Sequence, residues 1–134
     1  MTTHHFPVRI YYEDTDFSGN VYHAGYLKFF ERGRTELLRA EGIHHFELAA
    51  QGIAFAVRSM QIEFEAAAHI DDLLTVTTEV AAISGARLTL RQVVLRGETV
   101  LTRATVVVVA IKTSGGPARM PAVIRELAER KGTA

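Results

Sequence analysis

The sequence contains no cysteine. It therefore has no disulfide framework, no thiol nucleophile and no thiolate zinc site. It also lacks an excess of charge of either sign, since 15 Lys and Arg residues balance 15 Asp and Glu residues. A neutral chain has no general electrostatic attraction to nucleic acid or to an acidic membrane surface. Neither kind of partner is therefore expected.

Long hydrophobic runs are also missing. The most apolar stretch, Val106–Ile111, has six residues, whereas roughly 20 are needed to span a bilayer. The first residues lack the basic-then-apolar order of a secretory signal, and the adjacent His4 and His5 are too few for an expression tag. We therefore expect one cytoplasmic domain over residues 1–134, with no membrane span.

Most of the polar chemistry is concentrated in residues 11–34. Acidic residues end a first strand there, Ser18-Gly19-Asn20 has the composition of a turn, and a helix is predicted from Val21 or Tyr22 to about Ala40. A glycine inside this helix, such as Gly33, would allow close approach to another backbone. The polar side chains of this stretch are Tyr12, Asp14, Asp16, Tyr22, His23 and Glu31.

The remaining segments alternate mainly with the period of strands. The predicted elements are a strand at Val8–Tyr12, the long helix, a helical turn at Phe46–Ala50, strands at Phe55–Phe64, Leu73–Ile83, Arg87–Arg96 and Val100–Lys112, and a tail helix at Pro121–Lys131. A break in the alternation near Arg58-Ser59 indicates a β-bulge.

This order of elements predicts an α+β fold with a five-stranded antiparallel sheet and one principal helix. One helix covers only one face of such a sheet, yet Val106–Ile111 is apolar on both faces. A second copy of the chain would cover the remainder, so we expect a homo-oligomer.

Asp16 precedes the turn that leads into the long helix. A helix start presents unpaired N–H groups, here around His23 and Ala24, that polarise a carbonyl. A carboxylate opposite that carbonyl attacks it or activates water, which suits a thioester. The alternative is that Asp16 only caps the helix, although Asn20 is the better-placed cap.

The sequence resembles the YbgC-type (Tol–Pal-associated) acyl-CoA thioesterases, relatives of 4-hydroxybenzoyl-CoA thioesterase with the hotdog fold. The similarity extends to about Lys112. It is carried by Val8-Arg9-Ile10-Tyr11-Tyr12-Glu13-Asp14-Thr15-Asp16, Gly19, Val21-Tyr22-His23, Tyr26-Leu27, Glu31-Arg32-Gly33-Arg34-Thr35-Glu36, Val57-Arg58-Ser59-Met60 and Ile70-Asp71-Asp72-Leu73.

The resemblance implies a curved sheet wrapped around one long helix. It also implies dimers joined edge to edge, often paired into a homotetramer, with active sites at the subunit interface. Asp16 matches the catalytic aspartate, and Tyr12 and His23 match active-site positions. No cofactor and no metal are implied, and acyl-CoA is the expected substrate, with acyl-carrier protein as an alternative carrier. Expected substrate-binding residues are Tyr22, Ala24, Gly25, Arg58 and Ser59.

Several side chains have a second interpretation. Glu31 is either a charge partner of Arg34 or Arg32 or a catalytic carboxylate, as in some other hotdog thioesterases. His23 is a proton carrier or a support for the loop, and Tyr12 is an active-site group or a core residue. His69 replaces a usual arginine and is expected at a surface contact. Candidate contacts to CoA phosphates are Arg58, Arg87, Arg91, Arg96 and Arg103.

Two other functions remain compatible with the predicted fold. The first is dehydration of a 3-hydroxyacyl thioester, for which His23 would be the base. The second is binding of acyl-CoA or acyl-carrier protein without catalysis. Thioester hydrolysis through Asp16 is the leading prediction.

Overall fold

The computed structural model describes residues 3–130. Five strands and three α-helices follow one another along the chain. In chain order they are β1 (His4–Arg9), α1 (Gly25–Ala40), α2 (His45–Ala50), β2 (Ile53–Phe64), β3 (Leu73–Ser84), β4 (Arg87–Arg96), β5 (Thr99–Lys112) and α3 (Ala122–Arg130), with a short 3-10 turn at Tyr12–Asp14. The last residue of the predicted tail helix, Lys131, lies outside the described residues.

All strands belong to one antiparallel sheet in the order β1-β3-β4-β5-β2. β2 is an edge strand whose sheet neighbour is β5, with Ile53 opposite Lys112 and Phe64 opposite Thr102. The register shifts between Val57 and Ser59. The sheet, its single principal helix and the bulge predicted near Arg58-Ser59 are thus confirmed, and the architecture is the hotdog fold.

Helix α1 packs its apolar stripe on one face of the sheet. The buried residues of that stripe recur at three- and four-residue steps and are Tyr26, Phe29, Phe30, Gly33, Leu37 and Leu38. The helix packs tightly at Gly33, because a Cβ there would lie 2.8 Å from Cγ1 of Val76. Gly33 therefore does allow a close approach, but to side chains of the sheet rather than to another backbone as predicted.

The second face of β5 is only partly covered within one chain. Val106, Val108 and Ala110 are buried, whereas Val107 and Val109 between them are half-buried. The apolar run therefore contributes one face to the chain's own core and leaves the other face partly exposed.

Two predicted elements have boundaries that are wrong by three or more residues. The first strand is His4–Arg9 rather than Val8–Tyr12, because its residues pair with Thr78 to Leu73 of β3 and the chain then turns at Tyr12–Asp14. The long helix begins at Gly25, not at Val21 or Tyr22. Val21 instead forms an isolated antiparallel bridge with Thr15, and its N–H donates to Ala68 O at 2.9 Å. Among the described residues, no helix is long and apolar enough to cross a membrane.

Candidate functional site

Asp16 lies in a tight turn between the first strand and α1. Its Oδ1 accepts a hydrogen bond from the Ser18 N–H at 2.8 Å and another from the Ser18 hydroxyl. These hydrogen bonds from Ser18, that of the hydroxyl being the stronger, lower the pKa of Asp16. The Asp16 side chain is exposed, and the residue lies nine positions before the start of α1. It therefore stabilises the turn around Ser18 and does not cap the helix.

The turn that carries Asp16 is fastened to the connection between β2 and β3. The Ile70 N–H donates to Gly19 O at 3.1 Å. Nδ1 of His69 lies 2.6 Å from Oδ1 of Asn20, and it must donate because that amide oxygen can only accept. Asn20 is therefore not the helix cap that its position suggested, and α1 has no side-chain cap at Ala24.

The entrance to α1 leaves two backbone donors unused. The Gly25 N–H donates to Tyr22 O at 2.8 Å. Neither the His23 N–H nor the Ala24 N–H has an acceptor within residues 3–130. The expected pair of donors at His23 and Ala24 is thus free to bind an oxygen, whereas the Gly25 N–H is already engaged.

Aromatic rings surround this entrance. The His23 ring lies 4.5 Å from the Tyr22 ring and 6.2 Å from the Phe64 ring, centroid to centroid. The Tyr26 ring contacts Phe64 at 5.6 Å. These contacts place the far end of β2 beside the helix start, and sequence spacing gave no signal for them because Phe64 is remote in the chain.

Tyr26 is a buried residue in the first turn of α1. Its hydroxyl oxygen accepts a hydrogen bond from the buried Ala68 N–H at 3.1 Å. Burial raises the pKa of Tyr26, so the phenol stays neutral at ordinary pH. Tyr26 is thus a structural tie between α1 and the β2–β3 connection.

Tyr12 does not lie in the core. It is in the 3-10 turn with 81% of its surface exposed, so the interpretation of Tyr12 as a core residue is wrong. Its carbonyl accepts from the Thr15 hydroxyl at 2.7 Å. Phe17, next to Asp16, is fully exposed, and Tyr22 is half-exposed. The site is thus rimmed by aromatic surface that one chain leaves uncovered.

Arg58 and Ser59 stand apart from the other predicted site residues. They are exposed at the bulge of the edge strand, five and six residues before the Phe64 that contacts His23. That separation corresponds to about 16–20 Å of strand. Within one chain the predicted residues Tyr12, Asp16, Tyr22, His23, Ala24 and Gly25 share one loop and helix start, whereas Arg58 and Ser59 do not belong to that group.

Three of the candidate phosphate-binding arginines have carboxylate partners. Arg91 pairs with Glu79 at 3.0 Å, Arg96 with Asp72 at 2.9 Å and Arg103 with Glu65 at 2.6 Å. Arg58 and Arg87 have no ion-pair partner among the described residues. Those residues also contain no cluster of three metal-ligating side chains.

A family model for the thioesterase-like superfamily matches residues 11–127. The acyl-CoA thioester hydrolase YbgC of Escherichia coli O157:H7 is 46% identical over 114 residues, which cover 82% of this chain and 83% of that protein. The acyl-CoA thioesterase YbgC of Haemophilus influenzae is 48% identical over 107 residues, which cover 79% of each chain. The chain belongs to the YbgC family of thioesterases.

Solved structures agree with this assignment. A probable thioesterase from Bartonella henselae superimposes with a TM-score of 0.86 at 46% identity, over 90% of this chain and all of that one. The resemblance inferred from the motif around Asp16 is therefore confirmed, both as a family of thioester hydrolases and as a fold.

Proposed function

We propose that this protein hydrolyses acyl-CoA thioesters to a free acid and CoA, with Asp16 as the reacting carboxylate. Asp16 either attacks the thioester carbonyl or removes a proton from the attacking water. In the first route a mixed anhydride forms, CoA leaves as the thiol, and water then cleaves the anhydride. Both routes consume one water for each thioester.

The observation that carries the proposal is the pair of unused N–H groups at His23 and Ala24. A thioester carbonyl oxygen bound there would receive two hydrogen bonds, which strengthen as negative charge develops on the oxygen. Asp16 supports the same reaction because its carboxyl, whose pKa the Ser18 hydrogen bonds lower, is ionised at neutral pH, as a nucleophile or base requires. The Tyr22 and His23 rings then form a wall beside the reacting group.

We further propose that the working form is a homodimer or homotetramer with active sites at the subunit interface. Strand β2 is a twelve-residue edge strand. Long open edges of this kind recruit another strand. Antiparallel pairing of two β2 strands would bring Phe64 of one copy, with its neighbour His23, toward the first half of the other copy's β2. Arg58 and Ser59, in the middle of β2, would then lie near the two-fold axis between the two copies' sites.

The test is release of CoA from an acyl-CoA panel, detected with a thiol-reactive dye, which the cysteine-free protein does not itself consume. Asp16→Asn and Asp16→Ala should lower kcat/KM by about 10²-fold or more. Asp14→Asn is the matched control, because the Asp14 carboxylate accepts from the Tyr11 N–H and belongs to a neighbouring turn.

Circular dichroism of each variant establishes that it is folded. Full activity in both Asp16 variants would refute the proposed mechanism. Retained hydration of enoyl thioesters by Asp16→Asn would instead support the dehydratase function with His23 as the base. Binding of CoA without turnover of CoA or acyl-carrier-protein thioesters would support a binding module.

A further inference from the structure

A second concave feature lies along α1, away from the turn of Asp16. It is a cavity of about 390 Å³ between the later turns of α1, helix α2 and the first residues of β2. Its floor is apolar and includes Leu88, Leu90 and Val108 of the sheet. Four polar side chains complete its wall, and they are Glu31, Arg34, Thr35 and His45. A cavity of this size and character is typical of a small-molecule site.

The cavity and the candidate active site share the same two walls. Helix α1 begins beside His23 and reaches Arg34 nine residues after Gly25, which is about 13.5 Å of helix. Strand β2 contacts the cavity through Phe55 and Val57 and contacts His23 through Phe64. The cavity therefore lies at a distance that an acyl group extending from a thioester can span.

Arg34 is held in the cavity wall by a buried amide. Its Nη1 donates to Oε1 of Gln92 at 3.0 Å. Gln92 is fully buried, and its Nε2 donates to both Phe30 O and Thr78 Oγ1 at 2.9 Å. Both amide hydrogens are thus committed, so the amide oxygen must face Arg34. Gln92 is the positioning residue for this guanidinium.

The guanidinium has more donors than the protein satisfies. A guanidinium has five N–H donors, and among residues 3–130 the side chain of Arg34 donates to Gln92 alone. Within residues 3–130 no carboxylate lies within ion-pair distance of Arg34, and Glu31 acts on it only through its charge. Burial lowers the pKa of Arg34 accordingly. A half-buried cation in an apolar cavity is stabilised when an oxygen acceptor binds it.

We propose that the cavity receives the acyl group of the substrate and that Arg34, positioned by Gln92, selects acyl groups that carry an oxygen acceptor beyond the thioester carbonyl. The acceptor is a hydroxyl or a carboxylate. This inference rests on the proposed thioester hydrolysis and adds the class of acyl group to it. An unsubstituted acyl chain fills the apolar part of the cavity but leaves the donors of Arg34 unmatched, which reduces its binding relative to an oxygen-bearing chain of the same length.

The test compares kcat/KM for CoA release within sets of equal chain length. The eight-carbon set is octanoyl-CoA, 8-hydroxyoctanoyl-CoA and suberoyl-CoA, and the ten-carbon set is decanoyl-CoA, 10-hydroxydecanoyl-CoA and sebacoyl-CoA. The wild-type protein should prefer an oxygen-bearing member by about tenfold or more in at least one set, as expected for a hydrogen bond to a charged group. Comparison of the hydroxyl-bearing and carboxylate-bearing members of each set shows which acceptor Arg34 binds.

Arg34→Met should abolish this preference, read as the ratio of kcat/KM for the oxygen-bearing and unsubstituted chains, because methionine retains an apolar stem without the donors. Arg32→Met is the matched control, since Arg32 is an exposed residue of the same helix and does not line the cavity. Gln92→Met should weaken the preference in the same direction. The ratio of the kcat/KM values for two substrates, measured on one preparation, does not depend on the fraction of enzyme that is folded.

A wild-type preference of one or less in both sets would overturn the proposal, as would an unchanged preference in Arg34→Met. If the unsubstituted chains are nevertheless hydrolysed and this hydrolysis requires Asp16, the proposed thioesterase function would still be supported. If no thioester of the panel is hydrolysed, the role of Arg34 is tested by binding instead. The dissociation constants of the same six compounds are then measured by calorimetric titration of wild type and Arg34→Met. Tighter binding of the oxygen-bearing compounds by wild type alone supports the role of Arg34, and equal binding refutes it.

Discussion

Nδ1 of His69 lies 2.6 Å from Oδ1 of Asn20, although the two residues are 49 positions apart in the chain. This hydrogen bond joins the turn of Asp16 to the connection that follows β2. Replacing His69 with Leu removes the donor and should loosen the turn, since small misplacements of a reacting group cost up to about 100-fold in rate. We expect kcat to fall between about threefold and 100-fold, measured by CoA release at saturating substrate.

The control for this change is His5→Leu, on the exposed side of β1. It should leave kcat within about twofold, because an exposed substitution away from the site usually has little effect. His69→Leu with wild-type kcat would mean that the backbone hydrogen bond from Ile70 to Gly19 holds the turn without the side chain.

Removal of the Ser18 hydroxyl should change the pH dependence of the reaction. The hydrogen bonds from Ser18 stabilise the ionised Asp16 and lower its pKa. In Ser18→Ala the hydroxyl donor is lost and the backbone donor stays, so the pKa of Asp16 rises toward its ordinary value. Because the carboxylate is the reacting form, the acid limb of the kcat/KM profile should move to higher pH. Activity well above that limb should be nearly unchanged.

The pH profile of Thr15→Ala is the comparison for this result. The Thr15 hydroxyl donates to Tyr12 O and not to the Asp16 carboxylate, so its removal should leave the acid limb in place. A Ser18→Ala profile that coincides with wild type would show that the ionisation of Asp16 does not limit the rate.

Gly33 should be intolerant of a side chain. A Cβ at this position would lie 2.8 Å from Cγ1 of Val76 and 3.2 Å from Nε2 of Gln92. Helix α1 must then move away from the sheet, so Gly33→Ala should lower the free energy of unfolding by about 1–3 kcal/mol, as overpacking does. Urea unfolding followed by circular dichroism measures the change.

Gly25→Ala provides the matched comparison, because its added Cβ meets only Cγ1 of Val21 at 3.5 Å. It should be neutral or stabilising by up to about 1 kcal/mol, the usual difference in helix propensity. Gly33→Ala as stable as wild type would mean that the contact of α1 with the sheet is more adaptable than its geometry indicates.

The elements of the fold could be predicted because each depends on a local pattern. The three- and four-residue recurrence of Tyr26, Phe29 and Phe30 identifies α1, and the broken alternation at Arg58-Ser59 identifies the bulge. The predicted boundaries were wrong where contacts with residues distant in the chain determine where an element begins or ends. Val21 is held in a bridge to Thr15 and by a hydrogen bond to Ala68, and no pattern near Val21 contains the second of these contacts.

Part of the candidate site could likewise be predicted from local sequence, and part could not. Asp16 and the donors at His23 and Ala24 are close in sequence, so a motif could identify them. The tie between Asn20 and His69 and the support of Arg34 by Gln92 join segments separated by 49 and 58 positions. Gln92 in a strand resembles a surface residue by type, and only the packing of α1 over β4 reveals that it is buried.

The position of β2 at the sheet edge has a consequence for the order in which the protein is made. Its partner within the chain, β5, is the last strand to be synthesised. The 34 residues between Phe64 and Thr99 must be added first, which takes roughly 2–7 s at about 5–20 residues per second. During that interval the nascent β2 lacks its sheet neighbour, and a chaperone that binds extended apolar segments could bind it there.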